Sequence, residues 1–454
     1  MTGRELVLAA LRRQATPRVP WVPFTGVHIG SLKGVNAEQL LKSADLLVAC
    51  GIEANQRYQP DGQPVIFDLQ VEAEILGCEL KWAKDAPPAV ATHPLADGYE
   101  RLGDLPMPRQ EDGRLPIILE AMGGLKEKIG HNTALYGLVV GPFTLALHLR
   151  GTNLFLDMFD QPETVKELMD FCRRVTEQVA DYYIDAGMDV IAVVDPMISQ
   201  ISADHFQEFV SEAAVHIFDF IRQRGACSSF FVCGNATPVL EVMAQCKPDG
   251  ISVDENVDLG YAKEIADKYQ VSYGGNIPLT TVMLLGSPAD NMQSALELID
   301  AHSGPGFILS PGCDMPYNVP PENVSAVSLA VFDPDKARVF VQNNKKDRDI
   351  AEIEVEIPDY DNLPGVLIEV LTLDSATCPP CKYMVDATKE VAKFFEGNVD
   401  WVEYKITEKE NIVRMQRLGV TNIPTIVING RPTFVSYIPD LATYKQEIEK
   451  VLKS

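Results

Sequence analysis

Positive charge is scarce in this 454-residue chain: 39 lysines and arginines stand against 64 aspartates and glutamates, a formal charge of −25. Phosphate backbones and anionic lipid need basic surface, so nucleic acid and membrane are excluded as partners. Long apolar runs are missing as well. The N-terminal stretch MTGRELVLAALRRQATP has an apolar run too short and interrupted to span a bilayer, and no small-residue cleavage pattern follows it. It reads as a short amphipathic helix with Leu6, Leu8 and Leu11 available for packing. The nine cysteines are odd in number and irregularly spaced, which excludes a disulfide framework and makes the cytoplasm the expected compartment. No Gly-x-Gly-x-x-Gly turn follows a strand pattern, which argues against an open dinucleotide-binding sheet. There is no internal repeat and no low-complexity tract.

What is present is alternation. The length implies two or three domains, and the apolar content of 46% is that of a soluble globular protein. Strand patterns fall at Val19–Phe24, Val65–Leu69, Ala134–Val140, Val190–Val194, Ser229–Val232, Gly250–Val253, Val271–Gly274 and Gly306–Leu309. Helical patterns lie between them, among them Asn36–Cys50, Gln161–Ala186, Ser202–Arg224 and Pro288–His302, with Asn36 placed to cap the first. Strands alternating with helices predict an α/β fold, a (β/α)₈ TIM barrel over residues 1–342. Residues 343–364 are hydrophilic, with Lys345, Lys346 and Arg348 followed by an acidic run ending in Pro358 and Pro364, the pattern of a linker.

Residues 365–454 form a second α/β domain. Its order is strand (Val366–Leu371), Cys378-Pro379-Pro380-Cys381, helix (Lys382–Phe395), strand (Trp401–Ile406) and helix (Glu408–Leu418). Ile423-Pro424-Thr425, a hairpin turning at Asn429-Gly430 and a last helix (Leu441–Leu452) follow. A cysteine at a helix N-terminus gains thiolate character, so Cys378 suits nucleophilic attack and Cys381 suits resolution of a mixed disulfide. Structural zinc is excluded there, because this domain has no histidine and no other cysteine. With its Ile-Pro-Thr signal, Gly365–Ser454 resembles the thioredoxin/glutaredoxin superfamily, and the resemblance implies a cis Pro424 lying against the cysteines and their substrate.

In the barrel, FFVCGN (Phe230–Asn235) and FILSPGCDMPYNVP (Phe307–Pro320) are apolar runs ending in a cysteine beside glycine. Buried parallel strands deliver residues to the barrel mouth in this way, so Cys233 and Cys313, 80 positions apart, are expected to share a site. Asp195, at the end of another strand, is a candidate for substrate binding or acid/base work, and Asn235 and Asn276 are candidates for hydrogen bonding to a substrate. His148 reads as a satisfied interior histidine, and Cys50, Cys78, Cys172, Cys227 and Cys246 as structural.

Residues 1–335 carry IFDLQVEAEILG (Ile66–Gly77), GPFTLALHLRG (Gly141–Gly151), ADHFQEFV (Ala203–Val210), VCGN (Val232–Asn235) and GGNIP (Gly274–Pro278). In this order they resemble the uroporphyrinogen decarboxylase superfamily, more closely its methylcobamide:coenzyme M methyltransferase branch. The resemblance implies a role for Asp68, which matches the aspartate that binds pyrrole nitrogens in decarboxylases. Porphyrinogen carboxylates need cationic partners, yet Pro20–Ile29 (PWVPFTGVHI), where the decarboxylases have their arginines, has none. The thiol-activating methyltransferases hold zinc with His-x-Cys and a distant cysteine. Cys233 and Cys313 match the cysteines, Phe231 stands at the histidine position, and Glu72, Asp195, Glu255 and His28 are the candidates for a further ligand.

The implied function is methyl transfer between a methylcobamide on a partner corrinoid protein and a small-molecule acceptor, a thiol or a pterin, with zinc as the expected metal. The alternative is a decarboxylase acting on something other than uroporphyrinogen; a third reading is a binding module without catalysis. A separable expectation is that Cys378 and Cys381 keep Cys233 and Cys313 reduced. Self-association is left open.

Overall fold

The computed structural model describes every residue except 345–354, 374, 376–378, 396, 407, 421–422 and 454. The chain divides into two compact units, Met1–Asn344 and Lys345–Ser454. Among the described residues no helix is long and apolar enough to cross a membrane.

The first unit is built on seven parallel strands hydrogen-bonded in chain order: β1 (Gly62–Pro64), β2 (Ala134–Val140), β3 (Val190–Val194), β4 (Cys227–Val232), β5 (Gly250–Val253), β6 (Ser272–Ile277) and β7 (Phe307–Pro311). The eighth position is filled by a bridge rather than a strand. Val22 N–H donates to Leu309 O and Leu309 N–H donates to Pro20 O, while Asp61 and Gly62 N–H both donate to Trp21 O. Trp21 thus joins β7 to β1 and closes the sheet on itself. Pro20 and Pro23 on either side have no N–H to give, so the predicted strand Val19–Phe24 contracts to one bridging residue.

The predicted strand Val65–Leu69 is displaced, since the ladder covers Gly62–Pro64, Val65 N–H adds one bond to Tyr136 O, and the apolar run after it is buried outside the ladder. Hydrophobicity there reports burial at the mouth and not pairing. The expected helix Asn36–Cys50 is two helices, Ala37–Leu41 and Ala44–Tyr58, because Ser43 accepts from Leu46 N–H and caps a second start. Asn36 caps the first in a reciprocal box with Gln39. The longest helix, Pro162–Asp185, buries Val165, Leu168, Cys172, Val175 and Val179 along one stripe.

In β4, successive rings face opposite ways. Phe230 packs against Phe206 and Phe218 of the surrounding helices, and Phe231 packs edge-on against Phe24 and Phe67 inside the barrel. Phe24 and Phe231 have centroids 4.8 Å apart and are buried, each such side chain contributing roughly 1.5–3 kcal/mol by burial.

The second unit is a four-stranded sheet in which β8 (Val366–Thr372) pairs in parallel with β9 (Val399–Lys405) and antiparallel with β10 (Thr425–Ile428), which pairs with β11 (Arg431–Val435). Helices Pro379–Phe394 and Leu441–Lys453 supply Met384, Val391, Tyr444 and Ile448 to a core with Ile368, Val370 and Ile426. The hairpin turns at Asn429 (φ 44°) and Gly430 (φ 75°), the paired positive angles of a tight turn. Of the expected linker, residues 345–354 lie outside the described residues, and Tyr360 belongs to the second unit, its hydroxyl donating to Glu369.

Candidate active site

The C-terminal ends of the barrel strands carry the candidate residues. Cys233 follows β4 and Cys313 follows β7, and the two are joined in a disulfide with Cα atoms 5.8 Å apart. Both are half-buried, whereas Cys50, Cys78, Cys172, Cys227 and Cys246 are buried, with thiol pKa values pushed up by burial.

Two acids follow β5 and lie against the cysteine loops. A backbone hydrogen bond links Gly234, next to Cys233, to the Asp254 carboxylate. A Cβ on Gly312, next to Cys313, would fall 2.7 Å from both the amide nitrogen and Oε2 of Glu255, so only glycine permits that approach. Glu255 also accepts from Leu279 N–H at 3.2 Å. Burial raises the pKa of both acids, and the neighbouring Asp254 charge raises that of Glu255 further.

Around the other side of the mouth stands a polar network. Asp68 accepts from Arg114 Nη1 at 2.6 Å and from Gln70 N–H at 2.9 Å, and Arg114 Nε donates to Glu74 at 2.7 Å. Burial opposes the Arg114 charge, but Asp68 and Glu74 outweigh it and hold its pKa above the usual value. Four buried polar atoms in and beside this network make no hydrogen bond: Arg114 Nη2, Gln70 Oε1, Asp314 Oδ1 and Thr25 Oγ1. Buried polar atoms are rarely left so, and a convergent set of donors and acceptors is how a pocket meets a polar ligand. The Asp314 carboxyl packs where a Cβ on Gly26 would be, and its pKa is raised, first by burial and then by the nearby Asp68 charge.

The remaining candidates have local tasks. Asp195 accepts from Phe143 N–H (3.1 Å), Thr144 N–H (2.8 Å) and Thr144 Oγ1 (2.5 Å), anchoring the start of helix Pro142–Arg150; burial lifts its pKa to about 6 against those bonds. Glu72 is buried, accepts from Val140 N–H at 3.1 Å, and is raised by burial to about 8. Asn276 Nδ2 donates to the carbonyls of Asp254 and Val257, and Asn235 Oδ1 accepts from Thr237 N–H in its own turn. His28 bonds Tyr58 Oη through Nε2 and the Tyr317 carbonyl through Nδ1, and burial lowers its pKa to about 4. His148 is buried, with its pKa lowered by burial to about 3.

These residues do not fit a zinc centre. The sulfurs of Cys233 and Cys313 are bonded to each other, Phe231 offers no donor, and among the described residues no three ligating side chains converge. In the second unit, Cys381 is buried in the first turn of helix Pro379–Phe394, Ile423–Pro424 is cis, and Cys378 lies outside the described residues.

Sequence reasoning missed Arg114, Gln70, Thr25 and Asp314. Arg114 precedes its helix in a polar stretch and meets Asp68 46 positions away, so nothing local marks it. Asp314 adjoins Cys313, and its position there was the available signal.

Comparison with known proteins follows the two units. Residues 2–333 match the family model described as uroporphyrinogen decarboxylase (URO-D), and residues 366–453 match that of a thioredoxin domain. A methylcobamide:CoM methyltransferase of Methanosarcina acetivorans is 29% identical over 330 residues, covering 71% of this chain and 95% of that protein. A methylated-thiol–coenzyme M methyltransferase of Methanosarcina mazei is 28% identical over 294 residues, covering 62% of this chain and 74% of that one. A solved structure, a methyltransferase from Methanosarcina mazei, superposes with a TM-score of 0.67 at 25% identity, over 73% of this chain and 98% of that one.

Proposed function

The chain belongs to the uroporphyrinogen decarboxylase family, and on that premise we propose that its barrel moves a methyl group between a methylcobamide on a separate corrinoid protein and a small thiol or pterin acceptor. The observation that carries this reading is the similarity to a methylcobamide:CoM methyltransferase over 95% of that protein's length, together with the barrel shared with a solved methyltransferase structure. A polycarboxylate tetrapyrrole suits this mouth poorly. Arg114 is already neutralised by Asp68 and Glu74, and Pro20–Ile29 contributes no arginine.

On this reading, the Asp68–Arg114–Gln70 network orients the acceptor through its unpartnered atoms. Asp314 takes the acceptor's proton at Oδ1, the carboxyl oxygen that makes no hydrogen bond of its own. The attacking atom then meets the methyl carbon as an anion, the methyl group's bond to the corrinoid breaks and its electron pair stays with the corrinoid, in a mouth floored by Phe24, Phe67 and Phe231. Asn235, Asn276 and Glu72 frame the site through the backbone bonds described above. Zinc plays no part in these steps.

The test mixes the reduced full-length chain with methylcobalamin and a panel of small thiols and pterins, following the cobalamin spectrum and the methylated product. Expected is acceptor-dependent demethylation that falls about 100-fold or more in Asp314→Asn, the usual scale for removing a general base. Carbon dioxide release from a carboxylated substrate without any corrinoid, together with no demethylation, would replace this reading by the decarboxylase one.

A further inference from the structure

The mouth of the barrel presents two cysteines as a bonded pair, with a carboxylate set against the glycine beside each of them. Cys233 and Cys313 come from loops after strands that are not neighbours in the sheet, and their bond is a covalent tie across the mouth. Being half-buried, they are reachable by an attacking thiolate, unlike the buried cysteines elsewhere in the barrel. Phe231, at the sequence position of the histidine in the zinc-binding methyltransferases the barrel resembles, is locked edge-on between Phe24 and Phe67. Asp254 and Glu255 sit against the residue next to each cysteine, Asp254 through the Gly234 backbone and Glu255 against Gly312. The same chain carries a second cysteine pair, Cys378 and Cys381, in the segment that matches a thioredoxin domain.

We propose that Cys233 and Cys313 form a redox centre that replaces the metal site and takes two electrons from a Cys378/Cys381 dithiol. The Cys378 thiolate attacks one sulfur of the Cys233–Cys313 bond; that bond breaks, a mixed disulfide forms, and the other barrel sulfur leaves as a thiolate and is protonated. The Cys381 thiolate then attacks the Cys378 sulfur, closing the Cys378–Cys381 disulfide and releasing the second barrel thiolate, which is protonated in turn. Two electrons and two protons have moved from one pair to the other, and an external dithiol re-reduces Cys378–Cys381. The assignment rests on the mouth being the working site of the barrel, but not on which methyl acceptor it uses.

The experiment uses the full-length chain, oxidised, in three forms: unchanged, Cys381→Ser and Cys378→Ala. Substoichiometric dithiothreitol is added, samples are acid-quenched and alkylated, and peptides are mapped by mass spectrometry without reduction. In Cys381→Ser the expected species links Cys378 to Cys233 or Cys313 with the other barrel cysteine alkylated. In the unchanged chain, Cys233 and Cys313 thiols should appear at least about tenfold faster than in Cys378→Ala, since the small dithiol must then attack them directly. The proposal is overturned if Cys378→Ala is reduced as fast as the unchanged chain. It is overturned equally if Cys381→Ser gives no cross-link, whether or not its Cys378 reacts with an aromatic disulfide reagent. Anaerobically purified protein holding about one zinc per chain through Cys233 and Cys313 would also overturn it. Methyl transfer is assayed separately on chemically reduced protein, so failure of one reading leaves the other measurable.

Discussion

The two units of this chain each hold a cysteine pair, and they bring its members together in opposite ways. Cys378 and Cys381 are three positions apart in sequence, so proximity is built into the chain before it folds. Cys233 and Cys313 are separated by 80 positions and meet only because β4 and β7 end on the same face of a closed barrel. Each unit also buries a long-range arginine–carboxylate pair, Arg114–Asp68 in the barrel and Arg414–Glu369 in the second unit. A local pair works as a reagent whose chemistry the sequence already announces. A long-range pair reports on the fold that holds it, and its state changes when the fold does.

The largest break in that comparison should come from Arg114→Met. It strands the buried carboxylate of Asp68 without its partner, a loss typically worth about 3–5 kcal/mol. Urea unfolding of the full chain should show the barrel transition at lower denaturant while the second unit's transition stays in place. Adding Asp68→Asn should recover part of the loss, because the uncompensated charge is then gone. Equal destabilisation of both units would show that the barrel pair is not confined to its own core.

A second difference concerns pH. Glu72 is raised by burial to about 8 from an ordinary 4.5, so the folded barrel keeps a proton there that the unfolded chain gives up. Its contribution is fully present below pH 4.5 and is lost as pH rises towards 8, at about 1.4 kcal/mol per tenfold displacement. Histidine 28 has the opposite sign. With its pKa lowered to about 4, the folded state refuses a proton that the unfolded chain accepts, so stability falls as pH drops from 6.5 towards 4. Glu72→Gln should therefore flatten the barrel's stability profile between pH 5 and 8 and leave the acid limb unchanged. That profile is to be measured by chemical denaturation at stepped pH. An unchanged alkaline limb would show that Glu72 is not the group responsible.

The cysteine pairs can be compared directly in the unfolded chain. Closing a loop of 80 residues costs about 3 kcal/mol more entropy than closing one of three, so the fully reduced chain in denaturant should form Cys378–Cys381 first, by about a hundredfold. Refolding before oxidation should abolish most of that preference. Peptide mapping after brief exposure to oxidised glutathione distinguishes the two cases. If the preference survives folding, the barrel does not hold Cys233 and Cys313 ready to bond.

These contrasts explain what could be read before the structure. Ala134–Val140, Val190–Val194 and Gly250–Val253 are strands to the residue, because short, largely apolar runs leave little choice in a sheet covered on both faces. Val65–Leu69 misleads because the mouth of a barrel buries apolar residues without pairing them. The closure by Trp21 is invisible in the pattern, since its prolines look like the end of a strand and not like its whole extent. At the site, the cysteine pair was legible from strand-end position, and Phe231 from its motif. Arg114 was not, because a salt bridge across 46 positions leaves no trace at either end.

The smallest effect belongs to the second unit's hairpin. Gly430 has φ 75°, and a Cβ there would come within 2.4 Å of the Tyr360 ring, whose hydroxyl donates to the buried Glu369. Gly430→Ala should cost about 1–3 kcal/mol through backbone strain and displacement of that ring. Gly430→Ala with Tyr360→Leu should cost less than the two changes summed, because a smaller side chain makes room for the methyl group. If the cycle shows no coupling, the strain is all in the backbone of the turn and the tyrosine plays no part. Either way the loss should stay within the second unit, leaving the barrel's unfolding midpoint where it was.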